Sequence, residues 1–201
     1  MILILATKNQ GKVREISAAL NLPGLVFKSL RDYPLIPEVL EDGASFLDNA
    51  LKKARTISQA LGLPVLADDS GLEVEALQGA PGIFSARFAG PRATDQANNQ
   101  KLLDLLEAVP EAQREARFVC LLVLFFPSGE WIETRGVCEG LITRDLRGTH
   151  GFGYDPLFFL PSLEKTMAEI PLEVKNRISH RARALEKMKP HLLAFLNAPR
   201  P

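Results

Sequence analysis

Ile2-Leu3-Ile4-Leu5-Ala6 is an unbroken apolar run at the head of the chain. A strand exposed on one face alternates apolar and polar residues, whereas a continuous apolar run suits a strand covered on both faces. That single feature favours a sheet sandwiched by helices. Thr7 to Gly11 then turns into a helix over roughly Lys12 to Leu20, ended by Asn21, Pro23 and Gly24.

The rest of the chain reads as further alternation of strands and helices. A second helix follows Ser45, with Phe46, Leu47, Ala50, Leu51, Ala54, Ile57 and Leu61 on one face and Lys52, Lys53 and Arg55 mostly on the other. Pro64 to Leu77 reads as a buried strand interrupted at Ala67-Asp68-Asp69-Ser70-Gly71. A helix from Asp95 to Ala108 is polar at its start and apolar later. Arg117 to Phe126 and Trp131 to Ile142, joined through Pro127-Ser128-Gly129, read as a long antiparallel hairpin. A last helix runs from Ser179 towards Leu196, with Pro190 expected to kink or split it, and the closing Asn197 to Pro201 reads as a frayed tail. The expectation is one α/β domain, residues 1–201, of two lobes, with a mixed sheet and helices on both sides.

Composition narrows the class of function. At 201 residues and 46% apolar content the chain can bury a sizeable core. Lys and Arg (24) balance Asp and Glu (24), which argues against a general nucleic-acid binder. Cys120 and Cys138 sit in strand-like apolar surroundings with no CxxC partner and read as buried free thiols. The longest apolar run, Val119 to Phe126, is far short of the roughly 20 residues that cross a bilayer. No membrane or nucleic-acid partner and a cytoplasmic location are expected.

Four constellations carry chemistry. Leu5-Ala6-Thr7-Lys8-Asn9-Gln10-Gly11-Lys12 delivers backbone N–H groups, a hydroxyl, an amide and an ammonium to one helix start, a set that suits phosphate oxygens. It is not a Walker loop, because Ala6 stands where the first glycine would be, and a capped helix start with a solvated lysine is the plainer reading. In Glu41-Asp42-Gly43-Ala44-Ser45, Ser45 is a helix cap and Asp48 fits a capping box. Glu41 lies outside the helix as a turn carboxylate or a Mg²⁺ ligand. Asp68 and Asp69 emerge from an apolar run, a costly placement unless metal or hydrogen bonds neutralise them; adjacent strand residues face opposite ways, so one of the two points into a given site. Ser70 lacks a nucleophile elbow. The three histidines and two cysteines show no zinc spacing, so carboxylates with lysines point to Mg²⁺ and phosphoryl chemistry.

The fourth constellation is Gly151 to Arg183. Gly151-Phe152-Gly153-Tyr154-Asp155 offers an aromatic wall and an acid. Lys175, Arg177, His180, Arg181 and Arg183 crowd what reads as the start of a helix, where cations are disfavoured unless an anion or polar ligand joins them. Each piece also has a plain reading, as a tight turn and as a capped amphipathic helix.

Together these segments resemble the inosine/xanthosine triphosphate pyrophosphatase family. LATKNQGKVREI, EDGASFLDNALKKAR, LADDSGLEVEALQGAPGIFSAR, GTHGFGYDPLFF, TMAEIP and KNRISHRARAL fall in that family's order and spacing across nearly the whole chain. The resemblance implies an elongated mixed central sheet with two lobes around a cleft. It also implies Mg²⁺-dependent hydrolysis of ITP, dITP and XTP to the monophosphate and pyrophosphate by a homodimer. By the same resemblance Thr7, Lys8, Asn9, Gln10, Gly11 and Lys12 would hold the triphosphate, with Lys53 reaching it from the second helix. Glu41 and Asp69 would bind Mg²⁺, and Asp69 would be the base that prepares the attacking water, with Ser70 touching substrate beside it. Phe152 would stack on the purine, Gly153, Tyr154 and Asp155 would complete that wall, and Lys175, His180 and Arg181 would meet the base's polar edge. Two departures are Asp48, where the family commonly has Glu, and Phe84, where Tyr is frequent. A pyrophosphatase for another modified nucleotide and a non-catalytic nucleotide sensor are the competing readings.

Overall fold

The computed structural model describes residues 1–197. Its strands are β1 (Ile2–Leu5), β2 (Val26–Ser29), β3 (Val65–Val74), β4 (Glu115–Phe125), β5 (Trp131–Ile142), β6 (Phe158–Leu160) and β7 (Lys165–Thr166). Its helices are α1 (Gln10–Ala19), α2 (Phe46–Leu61), α3 (Asp95–Leu105), α4 (Leu172–Ile178) and α5 (His180–Asn197). The strands form one sheet in the order β2-β1-β3-β4-β5-β6-β7. It is mixed: β1 pairs parallel with β2 and β3, while β6 pairs antiparallel with β5 and β7.

The chain divides into two units, and it passes from one to the other inside β3, β4 and β5 and again between His180 and Arg181. The first unit holds residues 1–69, 120–136 and the chain from Arg181 onward. Strand parity explains its layers. Leu3, Leu5, Leu66, Cys120, Leu122 and Leu124 pack with Ile16 of α1 and Leu185, Met188 and Leu192 of α5. Their neighbours Ile4, Val65, Ala67, Leu121, Val123 and Phe125 pack with Ala50, Ala54 and Ile57 of α2. Because successive side chains alternate faces, the apolar runs of β1 and β4 are what two helical layers require, and for β1 the sequence predicted it.

The second unit holds residues 70–119 and 137–180. A single core gathers Leu72 and Val74 of β3, Ala116 and Phe118 of β4, Cys138 and Ile142 of β5, Leu102 of α3 and Phe158 of β6. Buried Arg114 is satisfied by carbonyls of Leu106, Val109 and Thr143.

Three expectations are corrected. β3 is uninterrupted from Val65 to Val74: buried Arg181 compensates Asp68, and burial raises the proton affinity of Asp69 beside Lys53. The cationic cluster is not the start of one helix: Lys175 and Arg177 lie in the last turn of α4, where the helix dipole favours positive charge, and α5 begins afresh at His180. α5 also continues through Pro190 without splitting. Helix boundaries otherwise shift by up to three residues. Residues 198–201, most of the tail read as frayed, lie outside the described residues. Both cysteines are buried and unbridged, and no helix among the described residues is long and apolar enough to cross a membrane.

Candidate functional site

In the first unit, Thr7 to Lys12 form the turn between β1 and α1. The Thr7 hydroxyl accepts the Asn9 N–H at 3.1 Å, and Asn9 Oδ1 caps α1 by accepting the Lys12 N–H at 3.1 Å. Those bonds use the oxygens as acceptors and leave the Thr7 O–H and the Asn9 amide protons as donors, the polarity an anion needs. Lys8, Asn9 and Gln10 are exposed. Lys12 is not a solvated lysine: its ammonium pairs with Asp68.

α2 begins where Ser45 Oγ accepts the Asp48 N–H at 3.1 Å, and the Gly43 N–H is held by Asn49 Oδ1 at 2.8 Å. Asp48 itself is exposed, in keeping with a capping role. One helical turn beyond Asn49, Lys53 is buried; its Nζ meets Glu41 Oε1 at 2.5 Å, donates to the Asp68 carbonyl at 2.9 Å and lies 4.0 Å from Asp69 Oδ1.

Asp68 and Asp69 divide the sheet's two faces as strand geometry demands. Asp68 points to the α1 and α5 side, accepting from Lys12, from Arg181 Nε at 2.7 Å and from the Cys120 thiol. Burial alone would raise its pKa, but the Arg181 guanidinium and the Lys12 ammonium hold it well below the usual carboxylate range. Asp69 points to the α2 side. Burial pushes its carboxyl up to about 6, against the pull of Lys53 and Lys12 and with a further push from Glu41. The Asn49 amide favours the ionised form, yet Asn49 Nδ2 and Asp69 Oδ2 each lack a fully formed hydrogen bond among the described residues.

This donor set suits a hard divalent cation. Glu41 and Asp69 offer oxygen alone, and Asp69 Oδ2 is a buried atom in need of a partner. Among the described residues no cluster of three or more His, Cys, Asp or Glu forms a protein cage. Mg²⁺ is commonly held by one or two carboxylates with water and phosphate completing the shell, and two carboxylates meet that requirement.

In the second unit, the turn from Gly151 to Asp155 is shaped by the Asp155 carboxylate. It accepts the Phe152 N–H at 2.9 Å and the Lys175 ammonium at 2.5 Å. Any side chain at Gly151, whose φ is +79°, would place a Cβ 2.0 Å from Asp155 Oδ2, so only glycine fits there. Lys175 Nζ lies 5.0 Å from the Phe152 ring centroid, joining acid, cation and aromatic in one group. The Tyr154 hydroxyl donates to the Ser85 carbonyl at 2.8 Å, and its pKa is driven up by burial. His180 is buried and stacked on Phe118 with centroids 4.8 Å apart. Ser70 lies in β3 next to Asp69. A hollow of about 610 Å³ elsewhere in this unit, lined by Glu73, Glu75, Glu115, Arg117 and Glu139 among others, contains none of the expected site residues.

Arg181 belongs to the first unit, 1% exposed, and donates to Asp68 and to Glu15 of α1. Sequence reasoning missed Glu15 and Asn49. Glu15 lies on α1 and is 4% exposed; its partner Arg181 is far along the chain.

The Ham1 family profile matches residues 3–191. The chain is 53% identical over 190 residues to the dITP/XTP pyrophosphatase of Geobacter sulfurreducens, covering 94% of this chain and 96% of that one. It is 52% identical to the dITP/XTP pyrophosphatase of Desulforamulus reducens, covering 93% of each. The solved HAM1 protein of Coxiella burnetii superposes with a TM-score of 0.87 at 41% identity, over 96% of this chain and 98% of that one.

Proposed function

The chain belongs to the Ham1 family, and on that premise we propose that it is a Mg²⁺-dependent nucleoside triphosphate pyrophosphatase. Its substrates in this reading are the non-standard purine nucleotides ITP, dITP and XTP, the last two being those named for the relatives from Geobacter sulfurreducens and Desulforamulus reducens. The observation that carries the chemistry is Asp69, a buried carboxylate 4.0 Å from the Lys53 ammonium that also meets Glu41.

Water attacks the α-phosphorus in line. Its proton passes to Asp69, its oxygen bonds the phosphorus, and the α–β anhydride bond breaks to release pyrophosphate. A positioned general base contributes roughly 10²- to 10⁴-fold. Lys12, Lys53 and the first N–H groups of α1 bind the negative oxygens, so most of the catalysis is positioning and charge neutralisation. Lys12 exchanges its pairing with Asp68 for phosphate, and Asp68 remains compensated by Arg181. Glu41 and Asp69 are the residues that would hold Mg²⁺, which supplies charge neutralisation on the phosphates and a template for the displacement.

Phe152 stacks on the base, and Lys175 and His180 address its edge. Hypoxanthine and xanthine carry an acceptor oxygen at position 6, where adenine carries a donor amine. Donors placed there favour the oxygen, and adenine leaves them unpaired. Arg181, engaged by Asp68 and Glu15, enters as the cation that fixes Asp68. The same reading carries a homodimer in the cytoplasm, checkable by sedimentation and by fractionation.

The test is release of pyrophosphate from ITP, XTP, dITP, GTP, ATP and dTTP with Mg²⁺. Pyrophosphate from the first three, well above the others, is the expected result. Orthophosphate in its place, or equal turnover of ATP, overturns the reading.

A further inference from the structure

α3 opens with an unusual run of polar residues. Asp95, Asn98 and Asn99 fall within its first two turns, and both asparagines are buried. Asparagine is a poor residue for a helix interior, because its amide competes for the backbone. A departure from local preference invites a search for its compensation. Asn98 has a structural one: it accepts the Ala89 N–H at 2.8 Å and donates to the Ala86 carbonyl at 3.3 Å.

Asp95 and Asn99 are four residues apart, on one helix face. Both reach Gly153 of the aromatic turn. Asp95 Oδ2 accepts the Gly153 N–H at 2.7 Å, and Asn99 Nδ2 donates to the Gly153 carbonyl at 3.0 Å. These two groups belong to different peptide planes. The N–H lies in the plane shared with Phe152, and the carbonyl in the plane shared with Tyr154. Holding both fixes the torsions of Gly153 itself, which sits at φ +62° and is the residue type with most conformational freedom to lose. The plane on its N-terminal side sets the direction in which Phe152 presents its ring.

The geometry points to Asp95 and Asn99 as a positioning clamp that orients Phe152 for the base of the nucleotide, a role that rests on the proposed function. Neither residue touches substrate in this account. They act through Gly153, and they sharpen base recognition more than the phosphoryl step. Asp155 and Lys175 hold the turn from its other end, through the Phe152 N–H and beside the Phe152 ring. α3 supplies the only side-chain bonds to Gly153 among the hydrogen bonds observed in the described residues.

The test pairs steady-state kinetics on ITP with hydrogen exchange at the Gly153 amide, in Asp95→Ala, Asn99→Ala and Asp95→Asn. Loss of one such bond is worth about 3- to 10-fold. In both alanine variants KM for ITP should rise by about that factor with kcat kept within about 2-fold. Gly153 exchange should quicken in Asp95→Ala. Asp95→Asn keeps an acceptor oxygen and should restore both readouts. A merely structural role would lower the active fraction, and so kcat, at constant KM. That pattern, or an unchanged KM beside a faster-exchanging amide, overturns the proposal. Asp95 is exposed, so its variants fold even where Asn99→Ala does not. If the unaltered chain releases no pyrophosphate from ITP, the proposed function fails and the clamp's role in it falls too. Gly153 exchange then still shows whether the clamp itself exists.

Discussion

Asp68 and Asp69 are consecutive residues of β3 that face opposite sides of the sheet, the first bonded to Arg181 and Lys12, the second set beside Lys53. The same burial acts on both with opposite outcomes. Two cations hold Asp68 ionised, while Asp69 keeps a proton affinity of about 6. One is a fixed anion of the scaffold and the other a group able to take up a proton.

Replacement of the base should separate activity from stability. Asp69→Asn is expected to slow pyrophosphate release by roughly 10²- to 10⁴-fold. An assay at saturating ITP that finds the unmodified rate removes Asp69 from its role.

The same variant should be more stable without metal at neutral pH. Asp69 has a folded pKa of about 6 against a model value of 3.8. A carboxyl raised on folding contributes stability that is fully present below the lower value and lost as pH rises through the higher one. The loss is about 3 kcal/mol, or roughly 6–12 °C in Tm for a chain of this size. The amide that replaces the carboxyl does not ionise. In chelator, the Tm advantage of Asp69→Asn should therefore be absent near about pH 4 and fully developed above about pH 7. Parallel curves for the two proteins contradict the environment assigned to Asp69.

Asp68→Ala should behave in the opposite way. It takes from buried Arg181 its ion pair with Asp68, leaving that with Glu15, and removes the partner of Lys12. Breaking a buried ion pair from one side costs about 3–5 kcal/mol, and thermal unfolding at neutral pH should show a clear loss. An unchanged Tm denies Asp68 its scaffold role.

Mg²⁺ binding can be read without turnover. Added Mg²⁺ should raise the Tm of the unaltered protein by preferential binding to the folded state. A Glu41→Gln, Asp69→Asn double variant should lose that response. Equal stabilisation of both proteins places the metal elsewhere.

Phe152→Ala should raise KM for ITP. Stacking of a base on an aromatic ring is worth about 1–3 kcal/mol, or roughly 5- to 150-fold. An unaltered KM removes Phe152 from the base.

Much of the scaffold was legible because it depends on local pattern. The apolar run in β1 announced a strand covered on both faces, Ser45 announced the start of α2, and alternation alone separated the directions of Asp68 and Asp69. What stayed hidden depends on distant partners. Arg181 meets Asp68 across 113 positions and Glu15 across 166, pairings that no local pattern announces. The start of the last helix was read within one residue, but α4 before it was not: Lys175 and Arg177 looked like one cluster with the cations beyond Ser179, while the turn there divides a helix end from a helix start. Asp95 and Asn99 read only as the polar start of a helix, because their common partner Gly153 lies more than fifty residues on.

Hydrolysis of ITP in water enriched in heavy oxygen tests the central assignment most directly. If Asp69 delivers water to the α-phosphorus, the heavy oxygen appears in the inosine monophosphate and the pyrophosphate carries none. Heavy oxygen in the pyrophosphate places the attack on the β-phosphorus and contradicts the account.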